Sequence, residues 1–275
     1  MKIFEALKKG EELTTPFVAR ELLKFHLNLS MTEILLQINE NLDHPHRYFL
    51  LLKRYEDGEP LEYITSKASF LDSEFFIKKG VLIPRFETEI LVKKVYEVAK
   101  NFTNPKICEI GFGSGIISLS LKKMLPNSNI TATDISKIAF EVASINAKKL
   151  NLDVNFINAS YLDGIDDSFD IIVSNPPYIK NSYKLDKWVL NEPKEALFGG
   201  AKGYEILEHI INLSKDRTRI LACEIGYDQK RPLSKILKEN GFEAKFYKDL
   251  AGFDRVFLAS NSNLFKDVFD ELCMI

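Results

Sequence analysis

The chain has 275 residues, 45% of them hydrophobic, with 37 Lys and Arg against 39 Asp and Glu and a formal net charge of −2. That size allows one large domain or a medium domain plus a small one, and near-neutral charge argues against a protein that lives on the phosphate backbone of nucleic acid. No stretch approaches the roughly 18 uninterrupted apolar residues of a membrane span, and the charged start MKIFEALKKGEEL holds no signal-peptide core, so the expected location is cytoplasmic with no membrane partner.

The first 75 residues carry helix signals and almost no strand signals. Thr15 before Pro16 sets an N-cap ahead of a proline at the first helical position, opening PFVARELLKFHL. Ser30 and Glu33 form the capping-box pattern S-x-x-E ahead of ILLQI. A third helix is predicted through HRYFLLLKRYE, stopping at Gly58. These amphipathic pieces predict an all-helical bundle over 1–68. It is acidic on balance, and either a docking surface for a protein partner or a cover for a larger domain fits it. His44 and His46 make an HxH pair with no thiolate close in sequence and only Asp43 as a neighbouring acid, so no metal site is expected.

From 69 to 83 the pattern turns aromatic and β-like in SFLDSEFFIKKGVLI, a linker hairpin with KKG as its turn. A helix through ETEILVKKVYEVAKNF opens the larger domain, 84–275. Strands are then predicted at KICEIGF, NITATDI, VNFINA, FDIIVSN, RILACEI, EAKFYKD and RVFLASN, with helices between the first five and DQKRPLSKILKENG before the sixth. The fold class is α/β: a seven-stranded, mostly parallel, doubly wound sheet. The short LAGFD joins the last two strands as a hairpin and makes one edge antiparallel. Cys108, Cys223 and Cys273 are read as reduced packing residues rather than disulfide or metal ligands. The tail NLFKDVFDELCMI either packs as a last helix or swings free.

Strand one runs into EIGFGSG, where Gly111, Gly113 and Gly115 let the backbone approach a ligand at the carboxyl end of the strand. The spacing is GxGxG, with Ile116 where a dinucleotide fingerprint needs its third glycine. Asp134, at the tip of strand two, can accept both hydroxyls of a ribose or cap the next helix. Nothing demands a phosphate, and Glu109 suits a ligand with a positive or amino-bearing tail. S-adenosylmethionine combines an adenosine with such a tail. Strand four ends in NPPY: Asn175 brings an amide oxygen, Pro176 and Pro177 remove two N–H donors, and Tyr178 adds a flat face. That row of acceptors suits a planar substrate presenting an NH2, whether adenine, cytosine or a carboxamide, aimed at an electrophile by orientation and proximity.

With these residues the chain resembles the class I, Rossmann-like S-adenosylmethionine-dependent methyltransferases of the amino-group type. It is most similar to the release factor glutamine methyltransferases, the HemK/PrmC type. The resemblance covers DGEPLEYI (57–64), IPRFETEILV (83–92), EIGFGSG, ATDIS, FDIIVSNPPYI, EPKEALFGGAKG (192–203) and DLAGFDRV (249–256), in the family's order. It implies a monomeric enzyme with S-adenosylmethionine as cofactor and S-adenosylhomocysteine as product. The implied substrate is the side-chain amide nitrogen of the glutamine in the GGQ motif of class-1 peptide chain release factors, a step of translation termination, with no direct nucleic acid partner.

By the same resemblance Glu109, Gly111, Phe112, Gly113, Ser114 and Gly115 would hold the methionine part, Asp134 the ribose, and Ile135 and Tyr161 the adenine. Asn175 and the Pro176 carbonyl would accept from the glutamine amide, with Tyr178 packing on it and Pro177 in the same substrate site, Asn175 also touching the cofactor, and PRFETE (84–89), with Arg85 and Glu87, walling the site. Two positions depart from the family: ITSKASF lacks the glycine that commonly follows YI, and Ser160 replaces a common acid. The alternatives are a methyltransferase acting on adenine or cytosine of nucleic acid, which shares NPPY, and a non-catalytic module that only binds the cofactor.

Overall fold

A computed structural model describes residues 1–261; the tail segment and Cys273 lie outside the described residues. The chain divides into two compact units, 1–67 with 185–191, and 68–184 with the residues from 192 onward.

The first unit holds five helices: α1 (Ile3–Leu13), α2 (Pro16–Leu27), α3 (Met31–Leu36), α4 (Pro45–Glu56) and α5 (Leu61–Thr65). Thr15 Oγ1 accepts from Val18 N at 3.2 Å, and Ser30 and Glu33 close both arms of the capping box. Helix α1 escapes the reading from charge density because its apolar stripe is narrow, with Ile3, Ala6 and Gly10 buried among lysines and glutamates. Leu22, Leu23 and Leu52 are fully buried in the shared core, each worth about 1.5–3 kcal/mol. Tyr48 is buried with them and donates to the Ala19 carbonyl at 3.1 Å.

Residues 185–191, expected within the larger domain, belong instead to this helical unit. Their side chains bond to carbonyls at and just past the C-terminus of α4, where the helix ladder ends and acceptor capacity is left over. Lys187 Nζ donates to Glu56 O at 2.8 Å, Trp188 Nε1 to Tyr55 O at 3.3 Å, and Asn191 Nδ2 to Gly58 O at 2.8 Å.

The second unit opens on the hairpin β1 (Lys67–Phe70) and β2 (Ser73–Phe76), with Lys67 counted in the first unit. Its turn is not KKG. The chain reverses at Leu71 and Asp72, where Leu71 has φ +49° and its N–H is held by Glu89 Oε1 at 3.2 Å. KKG makes a separate turn, with Val81 N donating to Lys78 O at 3.4 Å.

Helix α6 (Phe86–Ala99) leads to β3 (Lys106–Ile110), α7 (Ile116–Met124), β4 (Asn129–Asp134), α8 (Lys137–Leu150), β5 (Asn155–Asn158) and β6 (Phe169–Ser174). Two short strands, β7 (Ile179–Lys180) and β8 (Phe198–Gly200), pair in parallel beside them. Then come α9 (Glu205–Ser214), β9 (Thr218–Glu224), α10 (Lys230–Glu239), β10 (Phe242–Lys248) and β11 (Asp254–Asn261). The seven-stranded sheet has the order β10-β11-β9-β6-β3-β4-β5. All pairs are parallel except the two made by β11. Helices α6, α7 and α8 pack on one face and α9 and α10 on the other, so β6 and β9 are buried on both sides and read as apolar runs.

Register places the site. Ile110 pairs with Thr133 of β4 and with Ser174 of β6, so the carboxyl ends of β3, β4 and β6 finish level. Strand β3 lies between the two, where the direction of winding reverses, and open α/β sheets bind ligands outside such a point.

Candidate active site

A cavity of about 700 Å³ opens at that edge. Its lining includes Glu109, Gly111, Phe112, Gly113, Ser114, Asp134, Ile135, Tyr161, Asn175, Pro176 and Pro177, together with Arg85, Thr88 and Ser160. Of the residues singled out in the sequence, Gly115, Tyr178 and Glu87 are not in the lining. Gly115 is the left-handed N-cap of α7, and Tyr178, expected to pack on the substrate amide, instead sits half-buried behind the turn, packed against the core with its hydroxyl on Glu224.

The glycine loop is a cradle. Gly111 (φ +79°) and Gly113 (φ +51°) face open space, where a Cβ would meet nothing within 4 Å. Asp134 secures this loop: its Oδ2 accepts from Gly113 N at 2.9 Å and its Oδ1 from Ser136 N at 2.8 Å. Ser136, not Asp134, caps α8. Each Asp134 oxygen has a further lone pair for a hydroxyl. Behind the loop, the buried Asn146 accepts from Phe76 N at 2.7 Å and donates to Phe76 O at 3.0 Å and Ser114 O at 2.9 Å, tying hairpin, helix and loop together.

Glu109 is almost fully buried, with Oε2 on Ser118 N at 2.9 Å. Burial pushes its carboxyl up to about 8, Ser118 pulls against that, and the Asp134 charge adds to it. At neutral pH this carboxyl therefore keeps its proton until a cation arrives, which refines its reading as a standing negative charge. An acid walled into a cavity, next to a second carboxylate and an open glycine cradle, fits a nucleoside with an ammonium-bearing tail.

At the tip of β6, Asn175 Nδ2 donates one of its two protons to Thr88 Oγ1 at 3.0 Å, which turns Oδ1, the acceptor end of the amide, away from Thr88. Thr88 Oγ1 donates in turn to Glu224 Oε2 at 2.7 Å, and Tyr178 Oη to Glu224 Oε1 at 3.0 Å. Burial raises the Glu224 carboxyl to about 7, against the lowering effect of those two donors, and raises the Tyr178 hydroxyl well above its usual range.

The turn is braced from outside as well. Gln229 Nε2 donates to Tyr178 O at 2.8 Å and to Gly203 O at 3.1 Å. At Gly199 a Cβ would stand 2.4 Å from the carbonyl oxygens of both Pro177 and Gly203, which explains the glycine of EALFGG at this position. Gly199→Ala is expected to cost about 1–3 kcal/mol of stability by overpacking, measured by thermal denaturation. Arg85 is held by the buried Glu192, whose Oε2 also takes Ile83 N at 2.9 Å, so the 83–85 wall is locked.

Thr88, Glu192, Glu224 and Gln229 were not singled out in the sequence. The signal for Glu224 was present: an acid inside the apolar strand RILACEI needs buried partners.

The family model described as Methyltransferase small domain matches residues 86–202, and PrmC N-terminal domain matches residues 2–65. A release factor glutamine methyltransferase of Clostridium botulinum is 41% identical over 225 residues, 78% of this chain and 80% of that one. One from Fusobacterium nucleatum is 37% identical over 277 residues, 95% of this chain and 77% of that one. Among solved structures, a ribosomal-protein methylase of Lactobacillus delbrueckii subsp. bulgaricus superposes with a TM-score of 0.51 at 24% identity, covering 68% of this chain and 84% of that one, a likeness of fold alone.

Seven-stranded sheet, glycine cradle and acidic walls define a class I, S-adenosylmethionine-dependent methyltransferase. Within that class the chain belongs to the release factor glutamine methyltransferase family.

Proposed function

We propose that the chain, a monomer in the cytoplasm, methylates the side-chain amide nitrogen of the GGQ glutamine in class-1 peptide chain release factors. The observation that carries this reading is the Asn175–Tyr178 turn: an amide oxygen left free by the Thr88 bond, beside two prolines that donate nothing, at the mouth of the cavity. S-adenosylmethionine, when bound, supplies an electrophilic methyl on a sulfonium. Glu109 would hold its amino group and Asp134 its ribose, with Ile135 and Tyr161 flanking the adenine.

An amide nitrogen is a poor nucleophile, so the protein's task is alignment at near-attack distance. Asn175 Oδ1 and the Pro176 carbonyl take the two amide protons and aim the nitrogen. The helical unit, where Phe17, Leu36 and Leu50 stand exposed, is assigned to docking the factor; Leu36→Ser should raise the KM for the factor and leave kcat unchanged.

The reading is tested by incubating the protein with labelled cofactor and, separately, a release factor, its GGQ glutamine variant, and a DNA duplex. Label is expected on the intact factor only. Label on DNA, or on none of the three, overturns the proposal.

A further inference from the structure

We propose that Glu224, acting through Thr88, is the positioning residue that decides which end of the Asn175 amide faces the substrate. The inference rests on the reading of Asn175 as the acceptor for the substrate amide.

Glu224 and Thr88 are fully buried, and an ionised carboxylate only accepts. Its two oxygens take the Tyr178 hydroxyl and the Thr88 hydroxyl. Thr88 has one proton, and it is spent on Glu224. Towards Asn175 the Thr88 oxygen can therefore only accept, so the NH2 end must point inward and Oδ1 must face the cavity. The flipped amide would set two oxygens against each other with no proton between them, a preference of about ten- to a hundredfold for the observed orientation. An asparagine at a strand tip has no such bias by itself, because its two ends are nearly the same size.

The same chain makes the orientation sensitive to protonation. A proton on Glu224 can be donated to Thr88, whose hydroxyl is then released to donate towards residue 175, and the bias is lost. The groups facing Glu224 are Thr88 and Glu87 from α6, Tyr178 from the turn and Arg255 from β11, with Arg85 acting on Tyr178. Burial and Glu87 raise its carboxyl, Thr88, Tyr178 and Arg255 lower it, and the balance stands at about 7. Activity should therefore fall as pH drops below about 7.

The test uses the full chain, isotope-labelled and saturated with S-adenosylhomocysteine. The hydrogen-exchange protection of the Asn175 side-chain NH2 is read relative to a free asparagine amide. Wild type should show at least tenfold protection at pH 8, declining towards pH 6. Thr88→Val should abolish it while Thr88→Ser restores it. Glu224→Gln, whose amide oxygen still accepts from Thr88 but cannot titrate, should keep protection flat with pH and remove the acid limb of kcat. In the methylation assay Thr88→Val should lose at least tenfold in kcat, with S-adenosylhomocysteine affinity within about twofold of wild type.

Unchanged protection in Thr88→Val, or a persisting decline in Glu224→Gln, overturns the inference. A merely structural Glu224 would shift the melting temperature of both variants and leave those pH profiles alone. Absence of label on the release factor would sink the substrate reading, while the exchange measurement still decides the polarity chain.

Discussion

Asn175→Ala is expected to reduce methyl transfer to the release factor by about 10²–10³-fold, the loss typical when one preorganised hydrogen-bonding group is removed from a reacting centre. Cofactor affinity should change less, because Asp134 and Glu109 are held by Gly113 N and Ser118 N and not by the amide. The substitution also leaves Thr88 with an empty acceptor, but Thr88 keeps its bond to Glu224, so the fold should survive. Asn175→Asp sharpens the test. It retains an acceptor yet sets a second carboxylate on Thr88, whose single proton cannot satisfy both, and a comparable loss is expected. Single-turnover transfer with labelled cofactor, alongside calorimetric titration with S-adenosylhomocysteine, separates the two quantities. Full activity in Asn175→Ala would remove the amide from the mechanism.

The second large effect concerns Glu109 and is read by binding rather than turnover. Its carboxyl titrates near 8 in the open cavity, and a ligand ammonium favours the ionised form, so binding must expel a proton below that pH. S-adenosylhomocysteine affinity should rise with pH by up to about tenfold per unit between roughly pH 6 and 8 and flatten above. Calorimetry in buffers of different ionisation enthalpy should register a release approaching one proton. Glu109→Gln keeps the volume and an acceptor for Ser118 N but removes the charge. It should weaken binding at pH 8 by about 10²-fold, within the range for truncating a buried charge pair, and abolish the pH dependence. A wild-type affinity that is flat from pH 6 to 8 would refute the assignment of Glu109 to the amino group.

The same raised carboxyls act on stability with a defined sign. Glu109 and Glu224 hold protons in the folded chain up to about 8 and 7, against an ordinary value of 4.5. Between those limits the folded state binds more protons than the unfolded one, so stability is fullest below 4.5 as far as these two groups are concerned. It declines as pH rises through 7 and 8. Melting temperatures of the ligand-free protein should show this decline, and bound S-adenosylhomocysteine should offset the part due to Glu109.

Much of this architecture was legible in the linear order of residues because the relevant forces are local or periodic. The apolar runs of FDIIVSN and RILACEI, alternating with amphipathic helices, specify a sheet covered on both faces. Thr15 with Pro16, and Ser30 with Glu33, announce helix starts because caps are short-range hydrogen bonds. EIGFGSG, Asp134 and NPPY identify themselves because parallel strands deliver their carboxyl ends to one edge, and their chemistry needs no distant partner to be named.

What the linear order left open is whatever depends on partners far away in the chain. The hairpin reverses at Leu71, where Glu89 holds the backbone, while the better turn residues of KKG serve another bend. The segment 185–191 joins the helical unit because carbonyls at and just past the end of α4 take the side chains of Lys187, Trp188 and Asn191 from about 130 residues away. Most of all, Asn175 alone says only that an amide stands at the tip of β6. Which end it presents depends on a threonine from α6 and a glutamate from β9, because an amide has no orientation until its neighbours' protons are counted.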